Sequence, residues 1–541
     1  MTEQEQAFPS RLLKLTPDDG LERAASPRID PKKINQHIEG EPQGRGVMSD
    51  EDVEQLLKDP FATLVLRRGR FPEDLMEILE AFDEQNDADD AVPDQSTFLV
   101  SEGGQIPFAP GVDKGGTRLI TVRSRAGSPE VMIQTLLPPG LPPSDKRVLN
   151  EVIAWDPENR TLHFYQRQAG AWFWCGQSDM ALVKPTRGKG PFDSHVNGYV
   201  VMKELKTPWV HWHGPGLRIN EDAFAADDPL VADPLFRGRD HALNFEVDVI
   251  RPLVDRWNNA RFDEAIEGAQ VADLHGLMRQ VVESTSANLI STHAEWSQVS
   301  EGNGVDLDDL PPTFFFDMDC LVSALRLPVS VPPLRMDGAR YKALVDKYDL
   351  RVRGEGVDQA GDVPFCFTVP ERALEDVVVL RGLLDRGVLS PRLAACLLMV
   401  DFANPVGSRG RARLLRHVPA SAAVDAQALD VAVSKAILAA AADDGDDTPE
   451  AEFAAHWELG PTAWEDAFAD RIEAFLAKVV AKLDDADGCD EVFRLAESRR
   501  RDFRKRRLAE FGLSLPQAVA IAEDEPRLDM TEGADIVERA K

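Results

Sequence analysis

Short runs of apolar and β-branched residues, separated by turn-forming residues, dominate the chain from about residue 96 to about residue 220. Runs of this kind are typical of β-strands. They cover residues 97–100, 117–122, 131–136, 152–155, 162–166, 171–175 and 198–205. Asp156, Pro157, Glu158 and Asn159 separate two of the runs, and this composition favours a hairpin turn. The pattern predicts a mostly antiparallel sheet.

After about residue 240 the apolar residues recur at helical spacing. The predicted helices cover residues 245–266, 272–284, 314–325, 371–386, 391–402, 425–441, 462–483 and 490–510. Gly387 ends one of them, and Ser390 with Pro391 begins the next, because these residues suit a helix C-terminus and N-terminus. The fold class is therefore predicted to be α+β: a mostly antiparallel, β-rich N-terminal half followed by a helical C-terminal half.

The chain of 541 residues is too long for one ordinary core, and its pattern changes at four places. Ser49 suits the N-cap of a short helix, and a second helix is predicted after Pro72, where apolar residues recur at helical spacing before an acidic stretch. The predicted segments are a mobile N-terminal arm (1–48), short helices with an acidic linker (49–95), a β-rich domain (96–235), an α-helical domain (236–513) and a C-terminal tail (514–541).

The chain is strongly acidic, with 93 acidic and 61 basic residues and a formal net charge of -32. This charge repels phosphate backbones, so we expect no general nucleic-acid binding. The five cysteines are scattered, which argues against a disulfide framework or a thiolate zinc site. The first residues lack the basic and apolar regions of a signal peptide, and the longest apolar run, residues 393–400, is too short to span a membrane. We therefore expect a cytoplasmic protein with no membrane segment.

Histidines and large aromatic residues concentrate between residues 162 and 213. His211 and His213 flank Trp212, and residues two apart on a strand share a face, so both imidazoles would point toward one cation. Neutral imidazole binds iron, copper and zinc, and a tryptophan-rich surround excludes water. The alternative is that these histidines only satisfy buried carbonyls or pack in the core. We suspect iron or copper, with zinc as the other candidate, and a haem held by a single histidine is also compatible with the sequence.

Further site residues are expected next to the histidine pair. His195 and His241 would complete or adjoin the metal site, and Asp193 would orient a ligand or move protons. Arg187 and Lys189 lie in a Gly-rich stretch beside them. An arginine fork and a lysine point charge together suit the anchoring of an anionic substrate. A plain β-turn is the alternative interpretation of that stretch.

Two other patterns carry candidate chemistry. Asp317 and Asp319 follow an apolar run and resemble a D-x-D magnesium motif, although the two preceding prolines suit a helix start equally well. Residues 499–507 hold a basic cluster that favours a solvated helix face, a strap on an acidic surface, or a homo-oligomer interface. The chain lacks the sequence fingerprints of nucleotide-binding, serine-hydrolase and zinc-protease classes.

The function that these patterns favour is that of a metal-dependent enzyme. We expect an oxidoreductase or oxygenase that acts on a small anionic or aromatic substrate where the sheet meets the helices, because reactive oxygen intermediates need shielding from water. Tight clustering of histidines supports this hypothesis. The absence of a complete catalytic motif favours the alternative, a non-catalytic assembly or scaffold protein, and a zinc-dependent hydrolase is the third hypothesis.

Overall fold

The structure, a computed structural model, describes residues 29–42, 45–84, 94–101, 117–125, 127–137, 141–142, 145–201, 229–240, 244–354, 357–362, 365–445, 447–505 and 515–539. Its strands lie mostly in the N-terminal half and its helices mostly in the C-terminal half, so the predicted α+β class is confirmed. The described residues up to Trp257 form one compact unit, and those from Asn258 onward form a second, apart from a few residues around Gly354 and Lys505. Each unit has its own apolar core.

An eight-stranded sheet forms the body of the first unit. Its strands are β1 (Asn35–His37), β2 (Arg45–Val47), β3 (Asp94–Ser101), β4 (Thr117–Arg125), β5 (Ser128–Leu137), β6 (Leu149–Asp156), β7 (Thr161–Gln168) and β8 (Ala171–Gln177). Their order in space is β2-β1-β8-β7-β6-β5-β4-β3, and β1 with β8 is the parallel pair among antiparallel neighbours. The strands from β3 to β8 are therefore a meander, as the closely spaced runs predict.

Six of the seven predicted β-type runs lie inside β3 to β8, and the turn at residues 156–159 joins β6 to β7. The seventh prediction, 198–205, is wrong for its described part. Gly198 ends a short 3-10 helix, Val196–Gly198, and has a φ of +75°. A Cβ at this position would lie 2.2 Å from the carbonyl oxygen of Ser178, so glycine is required there for close approach of the backbone. Residues 202–205 lie outside the described residues.

Three short helices belong to the first unit's N-terminal region: α1 (Asp50–Leu56), α2 (Pro60–Leu64) and α3 (Leu75–Asp83). The predicted N-cap is confirmed, because the Ser49 hydroxyl accepts the backbone N–H of Asp52. The helix predicted after Pro72 is α3, and Asp74 caps it by accepting from Glu77 N–H. Two further helices in this unit are α4 (Pro229–Ala232) and α5 (Pro234–Arg237).

Both faces of the sheet are buried. On one face Val152 joins the core that α1 to α3 cover, and the ring of Phe61 packs edge-on against Trp172 with centroids 4.9 Å apart. On the other face Phe98 packs against Phe245, in the π-helical turn Phe245–Ile250, with centroids 5.1 Å apart. A sheet buried on both faces explains why several strands are continuous apolar runs and do not alternate with polar residues.

The second unit is mainly helical. Its helices are α6 (Arg251–Ala265), which begins in the first unit, α7 (Leu274–Glu283), α8 (Trp296–Ser300), α9 (Pro312–Phe315), α10 (Gly338–Tyr348), α11 (Leu374–Asp385), α12 (Pro391–Leu398), α13 (Arg409–Leu414), α14 (Ala426–Asp444), α15 (Pro449–Glu458), α16 (Trp464–Asp484) and α17 (Ala486–Lys505). Seven of these helices match a predicted helix range. The predicted ranges contain no counterpart of four others: α8, α10, α13 and α15. The prediction of one helix over 314–325 is wrong, because extended backbone at Phe316 separates α9 from a π-helical turn, Asp319–Ala324.

Short strands complete the second unit and reach almost to the C-terminus. They are β9 (Ile266–Glu267), β10 (Gln270–Val271), β11 (Ala287–Ile290), β12 (Leu350–Gly354), β13 (Val357–Ala360), β14 (Val369–Arg372), β15 (Ala422–Ala423), β16 (Pro516–Ala518), β17 (Leu528–Met530) and β18 (Ile536–Glu538). The last two pair as a hairpin, residues 528–538, which we call the C-terminal hairpin. Paired strands thus occur both in residues 1–48, predicted as a mobile arm, and in residues 514–541, predicted as a tail. The predicted domain boundaries stay predictions.

All five cysteines are buried and none is in a disulfide, as their scatter predicts. In the part of the chain that the structure describes, no helix combines the length and the apolar character needed to cross a bilayer.

Candidate functional site

The residues predicted from sequence as metal ligands are only partly described. Three of them lie outside the described residues: His211, His213 and His241. His195 is buried, and its Nδ1 lies 3.0 Å from the backbone oxygen of Tyr199, while its ring packs against Phe164 with centroids 5.1 Å apart. A ring nitrogen that donates to a carbonyl does not bind a metal, so a metal at His195 would have to use Nε2.

The predicted substrate anchors lie in a series of turns. Arg187 is exposed, and its guanidinium donates to the carbonyl oxygen of Leu182. The backbone N–H of Lys189 donates to the carbonyl oxygen of Thr186 at 3.0 Å. Asp193 is half-buried at the end of a 3-10 helix, Gly190–Asp193. The stretch around Arg187 and Lys189 therefore folds as turns, which is the alternative interpretation of its sequence. The substrate roles of these three residues stay predictions.

Metal binding has no support among the described residues. No group of three or more His, Cys, Asp or Glu side chains in that part of the chain is arranged to hold a metal ion. The prediction of a metal-dependent oxidoreductase therefore depends on His211 and His213, whose surroundings lie outside the described ranges.

His163, in the same histidine-rich region, belongs to a buried polar network of the sheet. The indole N–H of Trp174 donates to its Nδ1 at 3.0 Å, and its Nε2 lies 3.1 Å from the carboxylate of Asp156. Because an indole N–H can only donate, Nδ1 of His163 is the acceptor. The ring proton of His163 is therefore on Nε2, which donates a hydrogen bond to the Asp156 carboxylate. Burial by itself would raise the pKa of Asp156, but hydrogen bonds from His163 and Asn159 outweigh it and lower that pKa. The network ties the turn between β6 and β7 to the sheet.

Asp317, the first residue of the D-x-D pattern, binds two arginines through its carboxylate. Arg372 donates to this carboxylate from Nε and Nη2 at 2.7–3.1 Å, and Arg411 donates from Nη1 at 2.8 Å. All three side chains are buried. Burial by itself would raise the pKa of Asp317, but the two guanidinium groups outweigh it and hold that pKa below its usual range. Because arginines use the oxygens that a magnesium ion would need, the magnesium interpretation is not supported.

The basic cluster at residues 499–507 is not an exposed face in its described part. Arg499, Arg500 and Arg501 are buried within the second unit. Glu497, also buried, accepts hydrogen bonds from Arg500, Arg501 and Arg504 at 2.8–3.1 Å. The predicted solvated face is therefore wrong here. The homo-oligomer interface predicted for this helix has no support among the described residues and stays a prediction; residues 506 and 507 lie outside the described residues.

An open cleft of about 620 Å³ lies within the second unit. Four segments meet at it: the turn after α12, the start of α13, the segment leading into α15, and the C-terminal hairpin. The described residues that line it are Asp401, Phe402, Ala403, Gly410, Asp447, Thr448, Pro449, Ala451, Glu452, Ala455, Met530, Thr531 and Glu532. These residues combine an apolar floor with four carboxylates and contain neither lysine nor arginine, so the cleft disfavours anionic ligands.

Asp401 occupies this cleft in a strained backbone conformation. Its φ is +51°, a left-handed value that costs a residue with a Cβ and is often found at functional sites. The carboxylate accepts one hydrogen bond from Asn404 and one from the Ser408 hydroxyl, each at 2.6 Å. Burial raises the pKa of Asp401, and these two donors work against the rise. Ser408 also caps α13, so the start of that helix positions the carboxylate.

Glu452 lies beside Asp401, in the first turn of α15. Both of its carboxylate oxygens lie 3.2 Å from the backbone nitrogen of Asp401, which donates to them. About 30% of the Glu452 side chain is exposed. Burial raises the pKa of Glu452 to about 7, and the nearby Asp401 carboxylate adds to the rise. Glu452 therefore exchanges its proton near neutral pH while Asp401 is held by two donors, which is the difference that an acid–base pair needs.

Two basic side chains lie behind Glu452. His456 is one helical turn further along α15, and its Nδ1 lies 3.2 Å from the carbonyl oxygen of Cys396. Arg471, from α16, donates to His456 Nε2, so His456 is neutral with its proton on Nδ1. Burial, together with Arg471, lowers the pKa of His456 to about 3. Arg471 also lies 3.5 Å from Glu452 and forms an ion pair with Glu532.

The pKa of Glu452 predicts a specific pH dependence of stability. The folded protein holds this proton more tightly than the unfolded chain, so the contribution of Glu452 to the free energy of unfolding falls as pH rises from about 4.5 to about 7. Glu452→Gln removes the titration. We expect the stability of this variant relative to wild type to rise by about 1–3 kcal/mol across that window, measured by urea unfolding at several pH values. Glu458→Gln, an exposed residue on the same helix, is the control and should give a flat difference. A flat difference for Glu452→Gln as well would contradict the assignment.

Sequence reasoning missed this cleft. Asp401 follows directly on the apolar run 393–400, and Glu452 lies between the helices predicted at 425–441 and 462–483. A carboxylate directly after an apolar run is a signal of a site at the end of a buried element, but Asp401 and Glu452 are 51 positions apart, so their contact cannot be seen in the sequence. No protein-family model, curated protein or solved structure matches the chain, so the geometry of the described residues carries the functional argument.

Proposed function

We propose that the second unit is an enzyme that hydrolyses a small, uncharged, hydroxylated substrate by acid–base catalysis in the cleft. The observation that carries the proposal is that the Glu452 carboxylate accepts the backbone N–H of Asp401, which brings two carboxylic acids with raised pKa values to one open cleft. Carboxyl groups with shifted pKa values in a cleft are candidates for catalytic acids and bases, and the pKa of Glu452 lies near neutral pH.

The two carboxyl groups have different roles in this mechanism. Glu452, with a pKa of about 7, is protonated in a large fraction of molecules at neutral pH and donates its proton to the leaving group. Asp401, held by Asn404 and Ser408, is the carboxylate that accepts a proton from the attacking water. The bond to the leaving group breaks as the water oxygen forms its new bond, and each carboxyl group ends in the protonation state opposite to the one in which it began. Paired carboxyl groups of this kind are the usual machinery of glycoside hydrolysis.

The charges of the cleft define the substrate class. Asp447 and Glu532 add two carboxylates to the catalytic pair, of which Glu532 is paired with Arg471, and the described lining residues contain no lysine or arginine to bind a phosphate or carboxylate group of a substrate. The Thr531 hydroxyl accepts two backbone N–H groups and keeps its own proton for a hydrogen bond to a substrate oxygen. An uncharged polyol, such as a glycoside, fits these groups.

The test is a hydrolysis assay with matched sets of chromogenic substrates. Uncharged glycosides and esters form one set, and the corresponding phosphorylated or carboxylated compounds form the other. We expect turnover within the uncharged set only, and its loss in Asp401→Asn. Hydrolysis of no member of the uncharged set, or undiminished hydrolysis by Asp401→Asn, would overturn the proposal.

The metal-dependent oxidoreductase stays a separate proposal, which depends on His211 and His213. It predicts about one iron, copper or zinc per chain in protein made under metal-replete conditions, measured by elemental analysis with an absorption spectrum. The His211→Ala/His213→Ala double variant should lose that metal, and a His163→Ala variant, whose imidazole is used inside the sheet, should keep it if folded. A double variant with full metal content would rule the ligand assignment out.

A further inference from the structure

The Arg471 guanidinium lies between two carboxylates of the cleft and is held there from several sides. It forms a close ion pair with Glu532, and its Nη2 lies 3.5 Å from Glu452 Oε1. Its Nη1 donates to His456, and its guanidinium carbon lies 5.6 Å from the centre of the Phe402 ring. At 3.5 Å the contact with Glu452 is at the limit of a hydrogen bond, so Glu532 is the main partner of this cation.

Glu532 is itself fixed in position. It lies in the turn of the C-terminal hairpin, where the hydroxyl of Thr531 accepts the backbone N–H groups of Gly533 and Asp535 at 3.1 and 3.2 Å. The backbone N–H of Thr531 donates to the carbonyl oxygen of Asp535 at 2.9 Å. A carboxylate on a closed turn of this kind holds its partner at a defined place.

We propose that Glu532 is a positioning residue that holds the Arg471 guanidinium away from Glu452, and thereby preserves Glu452 as the proton donor of the cleft. This inference rests on the proposed acid–base function. Charged and titratable groups face Glu452 from each element around it: Asp401 after α12, Arg411 on α13, His456 on α15, Arg471 on α16 and Glu532 on the C-terminal hairpin. His456 is neutral, and Arg411 is engaged with Asp317, so Arg471 is the cation whose position Glu532 can change.

The consequence of removing Glu532 follows from its charge. Without that carboxylate, Arg471 has Glu452 as its nearest acidic partner, and a cation in direct contact favours the ionised form of a carboxyl group. The pKa of Glu452 should then fall, and the protonated acid should disappear from the neutral pH range.

The experiment follows the side-chain carboxyl carbon of Glu452 by NMR in protein labelled with ¹³C-glutamate, with the signal assigned by its absence in Glu452→Gln. In Glu532→Gln we expect the titration midpoint of Glu452 to fall by about one pH unit relative to wild type. Glu525→Gln is the matched control, because Glu525 lies in the same C-terminal segment, pairs with Arg494 at 3.2 Å and is about as exposed as Glu532. It should leave the midpoint unchanged.

A second variant keeps the inference testable if Glu532→Gln disturbs the hairpin. Arg471→Met removes the cation itself, and the Glu452 midpoint should then rise above its wild-type value. Glu532→Asp, which restores the charge, should move the midpoint back toward wild type. An unchanged or raised midpoint in folded Glu532→Gln would overturn the inference. These readouts need no substrate, so a shifted midpoint without any hydrolysis would remove the proposed enzyme function and leave the positioning role standing.

Discussion

Replacing Asp317 by Ala will destabilise the second unit by about 3–5 kcal/mol. The substitution leaves Arg372 and Arg411 buried without the carboxylate that both of them bind. An unpaired buried charge costs far more than the lost contact itself, because it cannot recover its hydration. The change is measured by urea unfolding followed by circular dichroism at 222 nm, which reports mainly on the helices of this unit.

Two controls separate this charge effect from a general sensitivity to substitution. Asp308→Ala breaks an exposed ion pair with Arg335, in which both side chains are about 66% exposed, and should leave the unfolding midpoint nearly unchanged. Replacing Asp317 with Leu and both arginines with Met removes every charge of the cluster and should recover much of the stability. An Asp317→Ala protein that unfolds within about 1 kcal/mol of wild type would show that water or a shifted partner compensates these arginines.

The local elements of this fold were predictable because their signals are short-range. The spacing of apolar residues from 97 to 175 predicts strands that the structure contains, and the composition of residues 156–159 predicts the turn between β6 and β7. Ser49 at an N-cap and the residues around Gly387 mark helix ends through hydrogen bonds to their immediate neighbours. In each case the physical cause lies within a few residues of the signal.

The predictions that failed depend on partners far away in sequence. Arg499 appears in a basic run, yet it donates to the carbonyl oxygens of Phe314 and Ala403 in other parts of the unit. The extended backbone at Phe316 interrupts a predicted helix next to the carboxylate of Asp317, which binds arginines 55 and 94 positions away. Local composition carries no information about such pairs.

The candidate site was hidden for the same reason. The contact between Asp401 and Glu452 spans 51 positions, and Arg471 and Glu532 come from two further elements. The left-handed φ of Asp401 has no sequence signature either, since Asp tolerates this conformation only somewhat better than most residues. A histidine-rich stretch attracts attention in a sequence, whereas carboxyl groups become chemically unusual only when folding buries them together.

The removal of the Glu452 proton has the largest expected effect on the proposed reaction. Glu452→Gln should lower kcat on an uncharged substrate by about 10²–10⁴-fold, which is the range for loss of a general acid, with a smaller change in KM. In wild type, activity should decline as pH rises above about 7, because Glu452 then loses the proton that it must donate. Steady-state kinetics between pH 5 and about 9 measure both effects on the substrate identified in the hydrolysis assay.

The design of this experiment distinguishes chemistry from packing. Glu458→Gln changes an exposed glutamate of the same helix, α15, and should keep wild-type kcat and the same pH profile. The kcat of the double variant Asp401→Asn/Glu452→Gln should be only slightly below that of the less active single variant, because the effects of two groups that act in one step are not additive. Glu452 contacts Asp401 directly, so a purely structural role would instead appear as lower stability with an unaltered pH profile in the remaining folded protein. A Glu452→Gln enzyme within about threefold of wild-type kcat would exclude Glu452 as the acid, and the cleft would then have to act through another group.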